Sequence, residues 1–362
     1  MSAPLSTSQP STALTKPFAS TSGERSRYIV GRGFDWAFFL LPPLLALVLG
    51  ALIAGTSFAE HRFWLAGKRV TGATVLLGVV VNAHLIAVAF RSHLNADVFR
   101  RHRVRFVLVP IAVFAAMMLS MWAVVVIAVL VVFWDVYHSA LQTFGLARIY
   151  DRNAGNDPQV GRALDFGLNL LLYAGPIVAG ATMLPHFGKL AIFEDVEATF
   201  FTRIPAFMAG NQRYFTWTVL VVGTVYAIVY VVAYARLRAK GYRISFPKVF
   251  LLTSTGLCSI WVWGFNPWGQ AFFIMNVFHA VQYLALVWWS ENASLRRGLR
   301  LERARLGKPV ALALFLGVTL AYGGWAELVR DDDRLRWSIV QVVALMHFFY
   351  DGFIWSVRKK QV

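Results

Sequence analysis

The sequence predicts an all-α fold: a polytopic bundle of about ten membrane-spanning helices whose two termini lie on the cytoplasmic side. Three observations predict it. Hydrophobic residues make up 58% of the chain and the mean hydropathy is +0.57, which is higher than in an ordinary soluble domain. Apolar segments of about 20 residues, the length that crosses a bilayer, recur along the chain. The basic residues concentrate in every second loop between them.

Residues 1–28 are rich in Ser, Thr and Pro, and we expect a disordered cytoplasmic tail ahead of a single transmembrane domain, 29–362. The spans predicted within that domain are 34–55, 71–91, 104–120, 122–148, 162–184, 213–236, 247–265, 267–290, 308–328 and 335–357. The third and fourth lie in one stretch without a polar break, Val104 to Arg148. As one helix it would measure about 67 Å, about twice the hydrocarbon thickness. We therefore predict a tight hairpin near Ser120-Met121.

The loop charges support this count and orient the chain. With the N-terminus inside, 26 of the 35 Lys and Arg residues lie in cytoplasmic segments and 9 in external ones. The external segments also hold two acidic runs, Glu194-Asp195-x-Glu197 and Asp331–Asp333. This asymmetry follows the positive-inside rule and predicts a multi-pass protein of a bacterial-type inner (plasma) membrane. Because membrane lipids explain the net charge of +17, no nucleic acid is expected as a partner.

Four histidines fall inside predicted spans, the second, fourth, eighth and tenth, and all four spans run from outside to inside. They are His84, His138, His279 and His347. Each lies 7–11 residues from the inner end of its span, which is roughly 10–17 Å from the cytoplasmic boundary. Four unrelated histidines would not be expected to share depth and direction. Ionisable groups at membrane depth are costly and rare, so this layer is predicted to be a metal site.

Polar side chains accompany these histidines on the same helix faces, three or four residues away. They are Asp135 and Gln142 beside His138, Asn276, Gln282 and Tyr283 beside His279, and Tyr350 and Asp351 beside His347. Such groups fix the tautomer and orientation of metal-bound imidazoles. We predict that Gln142, Gln282 and Tyr350 support cofactor binding. Asp135 and Asp351 are predicted to carry protons in catalysis, with a fifth ligand or an outer base as open roles for Asp351.

The donor atoms limit the choice of metal. Imidazole nitrogens with nearby carboxylates suit iron, copper or zinc. One haem needs only two axial histidines and would leave two of the four unexplained. The single cysteine, Cys258, lies in an apolar segment, which excludes disulfides and thiolate clusters. Non-haem iron is therefore predicted, with copper, zinc and haem as open alternatives.

A layer of histidines just inside the cytoplasmic leaflet of a polytopic protein resembles the histidine-rich membrane non-haem iron oxygenases. The Brp/Blh-like carotene-cleaving membrane oxygenases look similar, since they also place few histidines in many spans. The His-x-x-x-His and His-x-x-His-His clusters of the desaturase and hydroxylase branch are absent from this sequence. The resemblance covers architecture and site chemistry, and it implies a reaction class and not a particular substrate.

The favoured hypothesis is a metal-dependent membrane oxidoreductase, an oxygenase or desaturase. Its substrate would be lipid-soluble, such as an isoprenoid, carotenoid or acyl chain, and a redox partner would supply electrons. The alternative is a transporter, or a non-catalytic proton-relay or haem-binding protein, in which the same side chains form a titrating chain. Clustering at one depth, without a pair of broken helices at the midplane, favours the enzyme.

Two further patterns are predicted to be structural. Tyr226, Tyr230 and Tyr234 form a stripe at helical spacing, which is more typical of packing than of chemistry. His102 lies in a basic loop and is predicted to be solvated. For His93 two roles stay open, capping the site from the cytoplasmic side or facing lipid headgroups beside Arg91.

Overall fold

The computed structural model describes residues 27–180, 207, 210–266, 268–329 and 333–355. Within these ranges the chain is the predicted all-α bundle, with one small β-hairpin. Eight of the described helices are long and apolar enough to cross a membrane, or nine if a bent pair near the start counts as one span. Almost all of the predicted tail lies outside the described residues, as do the acidic run 194–197 and the basic residues 358–360.

Each predicted span overlaps a described helix or, for 34–55, a bent pair of helices, although some helices run up to eight residues beyond the predicted bounds. The chain begins with a bent pair and a short connection: α1 (Arg32–Asp35, continued by a π-helical turn Trp36–Leu40), α2 (Pro42–Ile53), α3 (Ser57–Glu60), β1 (Arg62–Leu65) and β2 (Lys68–Thr71). The long helices follow: α4 (Gly72–Ser92), α5 (Ala96–Leu119), α6 (Met121–Asn153), α7 (Arg162–Gly180), α8 (Gln212–Ala239), α9 (Phe246–Phe265), α10 (Trp268–Gly298), α11 (Gly307–Glu327) and α12 (Arg334–Ile354). The count of nine spans leaves out α10, which occupies the predicted span 267–290.

The β-hairpin before α4 is a feature that the sequence analysis does not predict. β1 and β2 pair antiparallel, and the two residues between them, Ala66 and Gly67, have positive φ angles of 50° and 81°. Positive φ at both positions is what a two-residue type I′ turn requires. Thr71 then starts α4, because its hydroxyl accepts a hydrogen bond from the Thr74 N–H in a reciprocal capping box. The turn carries no Asn-Gly or Asp-Gly signal, so the local pattern did not reveal it.

The predicted break between the third and fourth spans is confirmed at Ser120. Its backbone is extended, with φ −138° and ψ 126°, and this ends α5. The Ser120 hydroxyl then caps α6 by accepting a hydrogen bond from the Ala123 N–H at 3.4 Å. α6 runs for 33 residues, or about 50 Å, well beyond a hydrocarbon layer of about 30 Å. Its last turns, which carry Arg148 and Asp151, therefore extend past the apolar layer.

The four helices that carry the predicted ligands pack on one another. α4 contacts α10 and α12, and α6 contacts the same two helices from the other side. α11 packs along α4, where Gly323 allows close approach because a Cβ there would collide with the Val79 carbonyl oxygen. This arrangement brings residues from four distant parts of the chain to one place in the bundle.

Candidate metal centre

The four predicted histidine ligands meet in the bundle, one each from α4, α6, α10 and α12. They are His84, His138, His279 and His347, here called the histidine ring, and they are 0–5% exposed. Their imidazoles form a four-sided arrangement in the order 84, 279, 138, 347, with neighbouring centroids 4.7–5.1 Å apart. Neighbouring planes are turned by 68–90°. The depth that the four positions share along the chain thus corresponds to a single cluster in space.

Several nitrogens of the histidine ring make no hydrogen bond of normal length and angle with the residues that the structure describes, although the backbone of Val81 lies near His84 and that of Leu85 near His347. They are both nitrogens of His84, Nε2 of His279 and Nδ1 of His347. Leaving a buried polar atom without a partner costs about 1–3 kcal/mol. A neutral imidazole nitrogen is also the commonest metal ligand, and a bound cation would satisfy one of these atoms on each histidine. Their arrangement therefore fits a metal ion better than it fits plain packing.

The distances between donor atoms also fit a shared ion. One donor atom each from His84, His279 and His347 lies within 4.8 Å of the other two, and the same holds for His138, His347 and Asp351. The Nε2 atoms of His138 and His347 are 3.0 Å apart. Two ligands at right angles on a metal, with bonds of about 2.1 Å, are separated by about 3.0 Å. His347 belongs to both groups and links them.

Asp351 is the carboxylate that the structure places against the histidine ring. Its Oδ1 accepts hydrogen bonds from Tyr283 Oη at 2.8 Å and from Trp355 Nε1 at 2.9 Å. Its Oδ2 lies 3.7 Å from His138 Nε2 and 3.9 Å from His347 Nε2. One oxygen is thus held by two donors while the other faces the imidazoles. That is the arrangement of a carboxylate ligand oriented by outer hydrogen bonds.

Two of the other predicted site residues lie away from the ring. Asp135, one turn earlier on α6 than His138, hydrogen-bonds with Asn276 and belongs to neither group of potential ligands. Tyr350 faces α5, where its hydroxyl donates to the Phe106 carbonyl oxygen at 3.4 Å. Helical spacing correctly placed Asp135 on the same helix face as His138, and Tyr350 on the same face as His347. Each of these faces contacts more than one neighbouring helix, so the two side chains meet other partners than the ring.

The two predicted glutamines support the backbone near the ring rather than an imidazole. Gln142 Nε2 donates to the His279 carbonyl oxygen at 3.3 Å and to Gln282 Oε1 at 3.1 Å. Gln282 Nε2 donates to the Phe39 carbonyl oxygen at 2.8 Å. This chain of hydrogen bonds ties α6, α10 and the π-helical turn together beside His279. The two glutamines therefore support the histidine ring only indirectly, through the backbone.

The two histidines near the junction of α4 and α5, His93 and His102, are engaged elsewhere. His93 Nδ1 lies 2.9 Å from Ser92 Oγ, and its Nε2 lies 3.3 Å from the Phe106 carbonyl oxygen. His102 is half-buried, with its ring centroid 4.8 Å from that of Phe353. Neither is part of the two groups of potential ligands found among the described residues. His93 therefore packs behind the site instead of capping it.

The sequence analysis placed Tyr283 beside His279, but it did not predict that Tyr283 also packs against His347 or that Trp355 lies next to it. The Tyr283 ring centroid is 4.4 Å from that of His347 and 6.0–6.5 Å from the other three imidazoles. Trp355 lies next to it and carries Arg91 on its face, 4.0 Å from the ring centroid, and Arg91 pairs with Glu291 at 2.7 Å. The sequence signal for these two aromatic residues is helical spacing, because Tyr283 follows His279 by four residues and Trp355 follows Asp351 by four.

A second buried polar cluster lies away from the ring, where α6 ends and α9 begins. Arg148 contacts Asp151 at 2.8 Å and Asp165 at 2.5 Å, and Lys248 contacts the same two carboxylates at 2.6 and 2.8 Å. All four side chains are buried. Two cations and two anions make this cluster neutral, as buried charges require. The sequence analysis counted both cations as loop charges, since nothing in the local pattern showed their partners.

No protein-family model, curated protein or solved structure matches this chain. The molecule is a multi-pass helical membrane protein in which buried histidines converge, with Asp351, into groups able to hold a metal ion.

Proposed function

We propose that this protein is a membrane-embedded, non-haem iron oxidoreductase that acts on a lipid-soluble substrate in a bacterial-type inner membrane. The observation that carries the proposal is the convergence of the histidine ring with Asp351 in two groups of three residues. Within each group the donor atoms lie within 4.8 Å of one another. Imidazole and carboxylate donors without thiolate are the set that non-haem iron enzymes use, and copper and zinc accept the same donors. Metal analysis of the purified protein distinguishes iron from copper and zinc, and the absorption spectrum distinguishes non-haem iron from haem.

Iron held there would supply oxygen activation, and the residues of the chain would orient the ligands, exclude water and hold protons. Asp351 Oδ1 is fixed by Tyr283 and Trp355, so Oδ2 stays directed at the imidazoles. The Tyr283 hydroxyl keeps its proton on that hydrogen bond and so holds the carboxylate oxygen in place. Leu85 and Phe348, which pack together beside the ring, keep it dry. A dry, apolar site protects reactive intermediates from side reactions.

The position of the ring supports a substrate that arrives from the bilayer. On α6, His138 is buried while its neighbour Tyr137 is 42% exposed and Phe133 is 52% exposed. One helix thus has a face toward the outside of the bundle and a face toward the ring. An isoprenoid, carotenoid or acyl chain would approach the ring beside this helix. Electrons would come from a redox partner at the basic cytoplasmic loops.

One observation favours a second candidate function. The 3.0 Å separation between His138 Nε2 and His347 Nε2 is also a hydrogen-bond distance, so one imidazole can donate to the other without a metal. With Asp351 beside them, these groups would form a titrating chain in a proton-relay protein or transporter.

Metal analysis of the purified full-length protein separates the two candidates. We expect near-stoichiometric iron in the wild type and in Asp135→Asn, since Asp135 lies outside both ligand groups, and loss of iron in His347→Ala. Oxygen uptake with a membrane lipid extract should follow the iron content. A stable protein that contains no metal and whose melting temperature does not respond to added iron would contradict the enzyme and favour the relay. Asp351→Asn tests the role of the carboxylate: lost iron means a ligand, and retained iron with lost activity means a proton carrier.

A further inference from the structure

Arg91, in the last turn of α4, is a buried cation that touches two other helices. Its Nη1 donates to Glu291 Oε1 of α10 at 2.7 Å. Its Nε and Nη2 donate to the carbonyl oxygen of Ile354, the last residue of α12, at 3.4 and 3.2 Å. Its guanidinium carbon also lies 4.0 Å from the centroid of the Trp355 ring. These four residues, Arg91, Glu291, Ile354 and Trp355, are here called the arginine clamp.

The chemistry of the clamp requires an arginine. Its guanidinium is planar and has five donors, so it can pair with a carboxylate, hydrogen-bond a carbonyl and cover an aromatic ring at the same time. Hydrogen bonds from Asn95 Nδ2 at 2.8 Å and Ser290 Oγ at 3.2 Å also hold the Glu291 carboxylate. The contact with Ile354 caps the end of α12, where helix carbonyls lack partners within the helix. The clamp is therefore a fixed unit within the bundle.

The clamp joins the same three helices, α4, α10 and α12, that carry one of the two groups of potential ligands. That group is His84, His279 and His347. Arg91 follows His84 by seven residues, so it lies on the same helix face, about 10 Å further along α4. A contact that fixes the spacing of these helices also fixes the distances between the imidazoles they carry.

Trp355 connects the clamp to the carboxylate of the other group. Its Nε1 donates to Asp351 Oδ1 at 2.9 Å, beside the hydrogen bond from Tyr283 to the same oxygen. Trp355 is half-buried and comes directly after the last residue of α12, so helical hydrogen bonds do not fix its side chain. The guanidinium on its face does, through a cation–π contact. Arg91 thus holds the indole that orients Asp351.

We propose that Arg91 is a positioning residue of the metal centre. It orients Asp351 through Trp355, and it sets the spacing of three ring helices through Glu291 and Ile354. This inference rests on the proposed function, because the role is defined by a metal bound at the ring. Arg91 belongs to neither group of potential ligands. Its replacement should therefore change the affinity and geometry of a bound metal while every ligand remains in the chain.

The test uses the purified full-length protein and cobalt(II), whose visible absorption spectrum reports the geometry of its ligands. Arg91→Met removes the cation and its donors. A double variant, Arg91→Met with Glu291→Gln, also removes the buried negative charge that has lost its cation. Lys248→Met is the matched control, because Lys248 is also a buried cation between helices but lies in the charge cluster where α6 ends. Three quantities are measured: cobalt affinity by chelator competition, the cobalt spectrum, and the melting temperature without metal.

We expect Arg91→Met to bind cobalt at least about 10-fold more weakly and with an altered spectrum, as for other outer partners of metal ligands. Its melting temperature should fall, because Glu291 stays buried without its cation. The double variant should regain part of the melting temperature but keep the weak affinity and the altered spectrum. Lys248→Met should lower the melting temperature and leave the affinity and the spectrum of the wild type.

Two outcomes would overturn the inference alone. They are unchanged cobalt affinity in Arg91→Met, and an affinity that recovers together with the melting temperature in the double variant, which would make the role purely structural. Should Arg91→Met fail to fold, Arg91→Lys gives the same comparison, since lysine keeps the charge beside Glu291 but has no planar fork for Ile354 and Trp355. Wild-type protein that binds neither cobalt nor iron would overturn the proposed function, and this inference with it.

Discussion

Replacing Tyr283 with phenylalanine should weaken metal binding without removing any ligand. The Tyr283 hydroxyl is one of the two donors that hold Asp351 Oδ1, at 2.8 Å, while Trp355 Nε1 supplies the other at 2.9 Å. Phenylalanine keeps the ring and its packing against His347, so the change is confined to one hydrogen bond. The carboxylate that faces the histidine ring would then be held at a single point.

The size of the effect follows from the negative charge that Asp351 would carry as a metal ligand. A hydrogen bond to a charged group contributes about 1.5–3 kcal/mol, which is roughly 10- to 150-fold in an equilibrium constant. Substituting the outer partners of metal ligands typically costs about 10–100-fold in affinity or activity. We therefore expect Tyr283→Phe to lower metal affinity by about 10–100-fold.

The assay is metal retention by the purified protein during titration with a chelator. Tyr350→Phe is the matched control, because Tyr350 is equally buried but donates its hydrogen bond to the Phe106 carbonyl oxygen, away from the ring. It should retain metal like the wild type. Equal chelator sensitivity in both variants and the wild type would refute the role assigned to the bond between Tyr283 and Asp351.

Three further outcomes are expected. Alanine at any member of the histidine ring should abolish metal retention, whereas His93→Ala should leave it intact, since His93 bonds outside both ligand groups. Lys248→Met should destabilise the protein by about 3–5 kcal/mol in thermal unfolding, because it leaves two buried carboxylates with Arg148 as their one cation. Adding Asp151→Asn should restore part of the loss, and an unchanged melting temperature in the single variant would contradict this. A reporter after Lys360 should read as cytoplasmic and one at Asp331–Asp333 as external, and both on one side would refute the predicted topology.

Much of the fold followed from local patterns. Hydropathy and span length predict the helices, because an apolar segment of about 20 residues has to satisfy its backbone internally when it crosses a bilayer. The break at Ser120 followed from the same length argument. A common depth of the histidines in the membrane could also be predicted from the sequence, since distance along a helix converts directly into distance across the membrane.

The tertiary structure decided which residues meet at that depth. Hydropathy does not specify which helix packs on which, and His138 and His347, 209 residues apart, adjoin only because α6 packs on α12. The same packing turned Asp351 toward the imidazoles while Asp135 reached Asn276 instead. The sequence by itself determined the helices and their order, and it predicted a common level for the histidines. Tertiary packing decided which residues are neighbours across helix interfaces, and with them the ligand groups and the partners of Arg148. The reason is that side-chain contacts depend on how helices are rotated and paired.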